Sequence, residues 1–93
     1  MIISFGSKHT EKIWSGKVVR SLPEDMQVRA RRKLRMLNNA QTLTDLRVPP
    51  SNYLEKLAGN LKDYYSIRVN RQWRIIFIWE ADNAYDVQII DYH

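Results

Sequence analysis

The stretch Tyr65-Ser66-Ile67-Arg68-Val69-Asn70-Arg71-Gln72-Trp73-Arg74-Ile75-Ile76-Phe77-Ile78-Trp79-Glu80 decides the fold. Its β-branched and aromatic residues recur with period two on either side of Asn70-Arg71-Gln72, so it reads as two extended segments, Tyr65 to Val69 and Trp73 to Glu80, joined by a turn. A connection this short makes the two segments antiparallel neighbours. In the first segment Tyr65, Ile67 and Val69 share one face, and Ser66 and Arg68 emerge on the other. In the second, Trp73, Ile75, Phe77 and Trp79 oppose Arg74, Ile76, Ile78 and Glu80. A charge at the start of so apolar a strand is either paired or reaching for a ligand, and for Arg74 a structural salt bridge is the simpler of the two.

Downstream, Ala81-Asp82-Asn83-Ala84 is turn-like and Tyr85 to Tyr92 again alternates. Upstream, Tyr53 to Leu57 has strand composition and is followed by the turn Ala58-Gly59-Asn60. Val48-Pro49-Pro50-Ser51-Asn52 is a connection, because its prolines cannot pair in a central strand. Before it the character changes to helix, with Leu43 to Arg47 as a helical turn. Leu22-Pro23-Glu24-Asp25 starts a helix that runs to about Asn38, with Ser21 as cap, Pro23 in the first turn and two acids at the positive end of the macrodipole. Met26, Ala30, Leu34 and Leu37 fall on one face of it, Arg31, Arg32 and Arg35 on the opposite side, and Arg29 and Lys33 nearer the flank. A shorter amphipathic helix spans about His9 to Trp14, capped by Ser7 or Thr10 and burying Ile13 and Trp14. Met1 to Phe5 reads as a short first strand closed by Gly6 and Ser7. The expected fold class is α+β: a short N-terminal strand and two helices packed on one face of an antiparallel sheet whose other face stays open.

With 93 residues, residues 1–93 are expected to form a single domain, since a chain this short buries only roughly 60 to 65% of its unfolded surface. The 44% hydrophobic and 11% aromatic content is that of a globular protein, not a disordered one. The absence of Cys removes disulfides, thiolate chemistry and the common structural zinc sites, and suits a reducing cytoplasm. The first residues lack the pattern of a signal peptide, and the longest apolar run, Ile75 to Trp79, is far too short to span a membrane. A net charge of +5 points to a polyanionic partner, nucleic acid or an acidic protein.

The densest charge, Arg29 to Arg35, either tracks phosphates or simply solvates a helix back. Lys56 and Lys62 flank the Gly59 turn. His9 and His93, the two histidines, have no carboxylate cluster or ligand spacing around them, so neither a metal site nor a cofactor is expected. There is no glycine-rich phosphate loop and no serine-centred triad.

Leu54-x-x-Leu57-x-Gly59-Asn60, Ser66-Ile67-Arg68-Val69-Asn70-x-Gln72-Trp73-Arg74-Ile75 and the terminal Asp91-Tyr92-His93 resemble the HigB-like toxins, including the GraT type, of the RelE superfamily. Ile2-x-Ser4-Phe5 and Leu46-Arg47-x-Pro49-Pro50 extend the resemblance over nearly the whole chain. The resemblance implies a RelE-like fold and a cytoplasmic toxin of a type II toxin–antitoxin pair. It further implies an mRNA endoribonuclease working at the A site of the translating ribosome and a HigA-like helix-turn-helix antitoxin as partner. The implied reaction needs no metal, because the RNA 2′-hydroxyl attacks its neighbouring phosphate. By the same resemblance Arg74 stabilises the transition state, His93 moves the proton and Tyr92 stacks on or hydrogen-bonds the RNA. Arg68, Lys62 and Lys56 would assist at phosphates. Where some relatives carry a His and a Lys between the equivalents of Leu54 and Tyr64, this chain has Glu55 and Ala58, so the general base is open between Glu55 and His93. Two other classes remain: a non-cleaving RNA- or ribosome-binding inhibitor, and a domain that docks an acidic protein.

Overall fold

The computed structural model of the protein describes residues 1–92. Its centre is the long hairpin of β3 (Trp73–Glu80) and β4 (Asn83–Asp91), turned by Ala81 and Asp82. Both turn residues have positive φ, 50° and 61°, as a two-residue type I′ hairpin requires. The turn is therefore shorter than the four residues expected. β2 (Tyr65–Arg68) pairs antiparallel with β3, and β1 (Glu55–Lys56) with β2, giving the order β1-β2-β3-β4. β1 is shorter than the Tyr53 to Leu57 strand expected, because Tyr53 takes a left-handed conformation with φ 45° and leaves the sheet plane.

The register is regular from Trp73↔Asp91 to Ile76↔Gln88, then shifts so that Ile78 faces Tyr85. The extra residue lies in β4, where Asp86 has φ 54°, the signature of a bulge. Beyond β4 the expected N-terminal strand proves to be an extended segment held by two parallel bridges, Ile2↔Ala84 and Phe5↔Val87. It covers the β4 edge without becoming a regular strand. Gly6 leaves room at its end for the Gln88 and Asp86 side chains, which would have to shift for a Cβ lying 2.5 Å from Gln88 Cγ.

Helices α1 (Lys8–Trp14) and α2 (Glu24–Asn39) cover one face of the sheet. Ser7, not Thr10, caps α1, its Oγ accepting the Thr10 N–H at 3.3 Å. Thr10 instead takes the Ile89 N–H at 2.9 Å and so docks α1 on β4. Ser21 does not cap α2, which begins after Pro23 with Glu24 and Asp25 in its first turn. The expected stripe Met26, Ala30, Leu34 and Leu37 is buried, joined by Gln27, whose amide bonds Val19 N–H, Val19 O and Leu22 O and fixes the connection between the helices. Arg31, expected in solvent, donates to the Ile13 carbonyl at 2.9 Å and closes the end of α1. These helices meet Ile67, Ile75, Phe77 and Val87 of the sheet, all fully buried, in one core.

Candidate functional site

Strand alternation and register together put Arg68 directly opposite Arg74 on the sheet face away from the helices. Like charges at facing positions repel, and a sheet built for stability alone avoids the pairing. The surrounding loops relieve part of the repulsion. Arg74, only 12% exposed, bonds Glu55 Oε1 through Nη1 at 2.8 Å and the Tyr53 carbonyl through Nη2 at 2.7 Å. Arg68 donates Nε to the Asn70 carbonyl at 3.0 Å and lies 5.2 Å over the Tyr53 ring.

The left-handed turn at Tyr53 is what aims its carbonyl at Arg74. That turn hangs from Asn52, fully buried, whose Nδ2 donates to the Leu46 carbonyl at 3.0 Å and whose Oδ1 accepts from Lys33 Nζ. Burial against this turn pushes the Lys33 ammonium below its ordinary value. On the other side, Asn70 Oδ1 accepts the N–H groups of Gln72 and Trp73, both at 2.9 Å, and shapes the β2–β3 turn. The Gln72 carbonyl then accepts the Tyr92 N–H at 2.8 Å, which brings the Tyr92 ring to 5.3 Å from the Arg74 guanidinium.

The result is a cleft of about 360 Å³ lined by Tyr53, Glu55, Arg68, Asn70, Arg71, Arg74 and Tyr92. Among the described residues three guanidiniums face one carboxylate there, a positive balance that suits an anion. Among the described residues two buried side-chain polar atoms lack a hydrogen-bond partner, Ser66 Oγ and Arg74 Nε, and alternation puts both residues on this face. Arg74 Nη1 and Nη2, held by Glu55 and the Tyr53 carbonyl, are the donors for which an oxyanion in the cleft would compete.

Of the residues expected at the site, Arg74, Arg68, Glu55 and Tyr92 come together in this cleft. Lys56 and Lys62 do not line it. Lys56 follows Glu55 in the strand and points the other way, over the Tyr65 ring at 4.8 Å, with its Nζ on the Lys62 carbonyl. His93 lies outside the described residues. Tyr53, Asn70 and Arg71 escape the sequence reading; only the position of Arg71 in the turn between the two strand arginines could have pointed to it. The described residues contain no cluster of His, Asp or Glu fit to hold a metal ion. None of their helices is long and apolar enough to cross a membrane.

Residues 3–93 match the HigB-like toxin family, described as the RelE-like toxin of the type II toxin–antitoxin system HigB. Toxin HigB-1 of Vibrio cholerae serotype O1 is 44% identical over 80 residues, which is 85% of this chain and 84% of that protein. An uncharacterized protein of Haemophilus influenzae is 38% identical over 63 residues, 68% of this chain and 62% of its own length. Two solved structures of the YoeB–YefM toxin–antitoxin complex from Staphylococcus aureus share the fold, with TM-score 0.62 over 100% of this chain and 98% of theirs at 17% identity. With a strand-and-helix frame of this kind, a cationic cleft on the sheet face away from its helices and a match over almost its entire length, the chain belongs to the HigB-like family of type II toxin–antitoxin toxins.

Proposed function

We propose that this toxin inhibits translation as a ribosome-dependent, metal-independent endoribonuclease acting on mRNA at the A site. The observation that carries the reading is Arg74 facing Arg68 across β2 and β3, with its Nε buried and unpartnered beside an exposed tyrosine. A phosphodiester in the cleft neutralises the two facing guanidiniums. Its non-bridging oxygens accept from Arg74 and Arg68, and the charge that builds on phosphorus during attack strengthens those bonds most in the transition state.

In the reaction, the 2′-oxygen loses its proton and bonds the adjacent phosphorus, and the P–O bond to the 5′-oxygen breaks. The products are a 2′,3′-cyclic phosphate and a 5′-hydroxyl. DNA, lacking the 2′-hydroxyl, is not a substrate. The phosphate competes with Glu55 for Arg74 and frees a carboxylate beside the sugar, so Glu55 is a base for the 2′ proton, with His93 the other. His93 delivers a proton to the departing 5′-oxygen, and Tyr92 stacks on a base. Lys56 and Lys62 have no part in the cleft and serve, if at all, RNA beyond it. The antitoxin partner is of the HigA-like helix-turn-helix type, and the toxin works in the cytoplasm.

The test is primer extension on an mRNA incubated with the purified protein, with and without programmed ribosomes, using Arg74→Ala and a deletion of His93 as controls. New 5′ ends that require ribosomes and vanish in both variants support the reading. Stalled translation on intact RNA replaces it with a non-cleaving inhibitor.

A further inference from the structure

Beside the cleft lies a larger groove of about 820 Å³ between α2 and the β2–β3 turn. Its α2 wall is Arg29, Arg32, Lys33 and Met36, a spacing of three, four and seven that places all four on one stripe of the helix, apart from the stripe that fills the core. Arg68 and Arg71 form the opposite wall, and no carboxylate of the described residues lines the groove. Met36 adds apolar surface, and Tyr53, 58% exposed, stands at the edge. Tyr53, Arg68, Asn70 and Arg71 line both groove and cleft, so the two are one continuous depression.

We infer that this groove is a second subsite for single-stranded RNA, holding the nucleotide next to the one whose phosphate meets Arg74. Its base lies against Met36 and Tyr53, and its phosphate is held by Arg29, Arg32 and Arg71. The inference rests on the nuclease reading for the position of the scissile phosphate. The volume lies in the range of about 300 to 1,000 Å³ usual for ligand sites, enough for a nucleotide. Cations interleaved with a π-face and apolar surface are what an unpaired strand needs: charge for the backbone, stacking for the base. An acidic protein segment would be served by the cations alone, and would gain nothing from continuity with the Arg74 cleft. Lys33 is already engaged by Asn52, which leaves Arg29 and Arg32 as the exposed cations of the helix wall.

The experiment is fluorescence anisotropy with labelled RNA, a dinucleoside monophosphate whose single phosphate serves the Arg74 position and a hexanucleotide, each carrying a 2′-deoxy sugar at every position open to cleavage. In the wild type the longer strand binds about tenfold tighter, in line with roughly 1 to 3 kcal/mol per stacked base. In Arg29→Gln/Arg32→Gln, two residues outside the cleft, that gain disappears while the affinity for the dinucleoside monophosphate holds. The slope of log Kobs against log salt falls there by about 0.7, the contribution of the one single-strand phosphate that the variant no longer neutralises. Met36→Gln reduces the length gain without changing the slope. A gain and slope that survive Arg29→Gln/Arg32→Gln overturn the inference, as does a wild type that binds both lengths equally or binds neither. An acidic peptide bound through Arg29 and Arg32, with RNA binding indifferent to them, overturns it in favour of a protein ligand. Primer extension separates the two readings: a length-dependent gain without cleavage on ribosomes removes the nuclease and keeps the groove as a strand-binding site.

Discussion

On the helix side of the sheet, Ile67, Ile75, Phe77 and Val87 are shut away from solvent against α1 and α2, and the polar groups that intrude, Thr10 and Gln27, are hydrogen-bonded. On the other side the same strands set Arg68 against Arg74 and leave Ser66 Oγ and Arg74 Nε without partners. β3 supplies both patterns from alternate residues of one segment. The first face obeys the rules of stability at every level, and the second breaks two of them in one place. Such local conflict inside an otherwise consistent fold is where function is expected.

Substitutions sharpen the contrast. The largest effect belongs to the covered face: Phe77→Ala is expected to cost about 3 to 5 kcal/mol, read from the denaturant midpoint, because it empties the centre of the core. Next, Arg74→Met should lower mRNA cleavage by about 10²- to 10³-fold while stability changes by less than about 1 kcal/mol. Glu55 is 49% exposed and regains water once its partner is gone. An Arg74→Met protein that unfolds would break the comparison, since the arginine would then be serving the fold. Ser66→Ala removes a buried hydroxyl that bonds nothing among the described residues; melting should show it neutral or stabilising by up to about 1 kcal/mol. The smallest effect lies away from both faces, at the 3-10 turn Leu43–Arg47. The N–H groups of Thr42 and Gln41 hold the Asp45 carboxyl below its ordinary value of 3.8, so the stability it contributes is complete above that pH and lost as pH falls through the lower folded value. The melting temperature of Asp45→Asn should therefore trail the wild type at pH 7 and converge with it in acid.

β3 is revealed by its unbroken β-branched and aromatic composition from Trp73 to Glu80, Arg74 apart, and the strand has those bounds. The core stripe of α2 is equally legible, because helical period and apolar spacing agree along it. Arg74 is readable both as an ion pair and as a ligand-seeking charge. The structure contains the ion pair with Glu55, and the unpartnered Nε leaves room for the second role. What alternation cannot show is where backbone leaves a regular element. Tyr53 looks like a strand residue by composition, and only the burial of Asn52 turns it left-handed so that its carbonyl meets Arg74. Arg71 reads as a plain turn residue because its neighbours in space come from α2, far away in sequence.

The two parallel bridges from Ile2 and Phe5 to β4 also set an order of events in time. β3 and β4 are joined by two residues and can zip within microseconds, whereas closing Ile2 onto Ala84 requires ends that are far apart along the chain to meet, and the entropy of that loop must be lost first. The hairpin carrying Arg74 therefore forms early and the edge of β4 is sealed late. In the interval β4 presents unpaired N–H and C=O groups, and any extended chain nearby competes with residues 1–5 for the same edge.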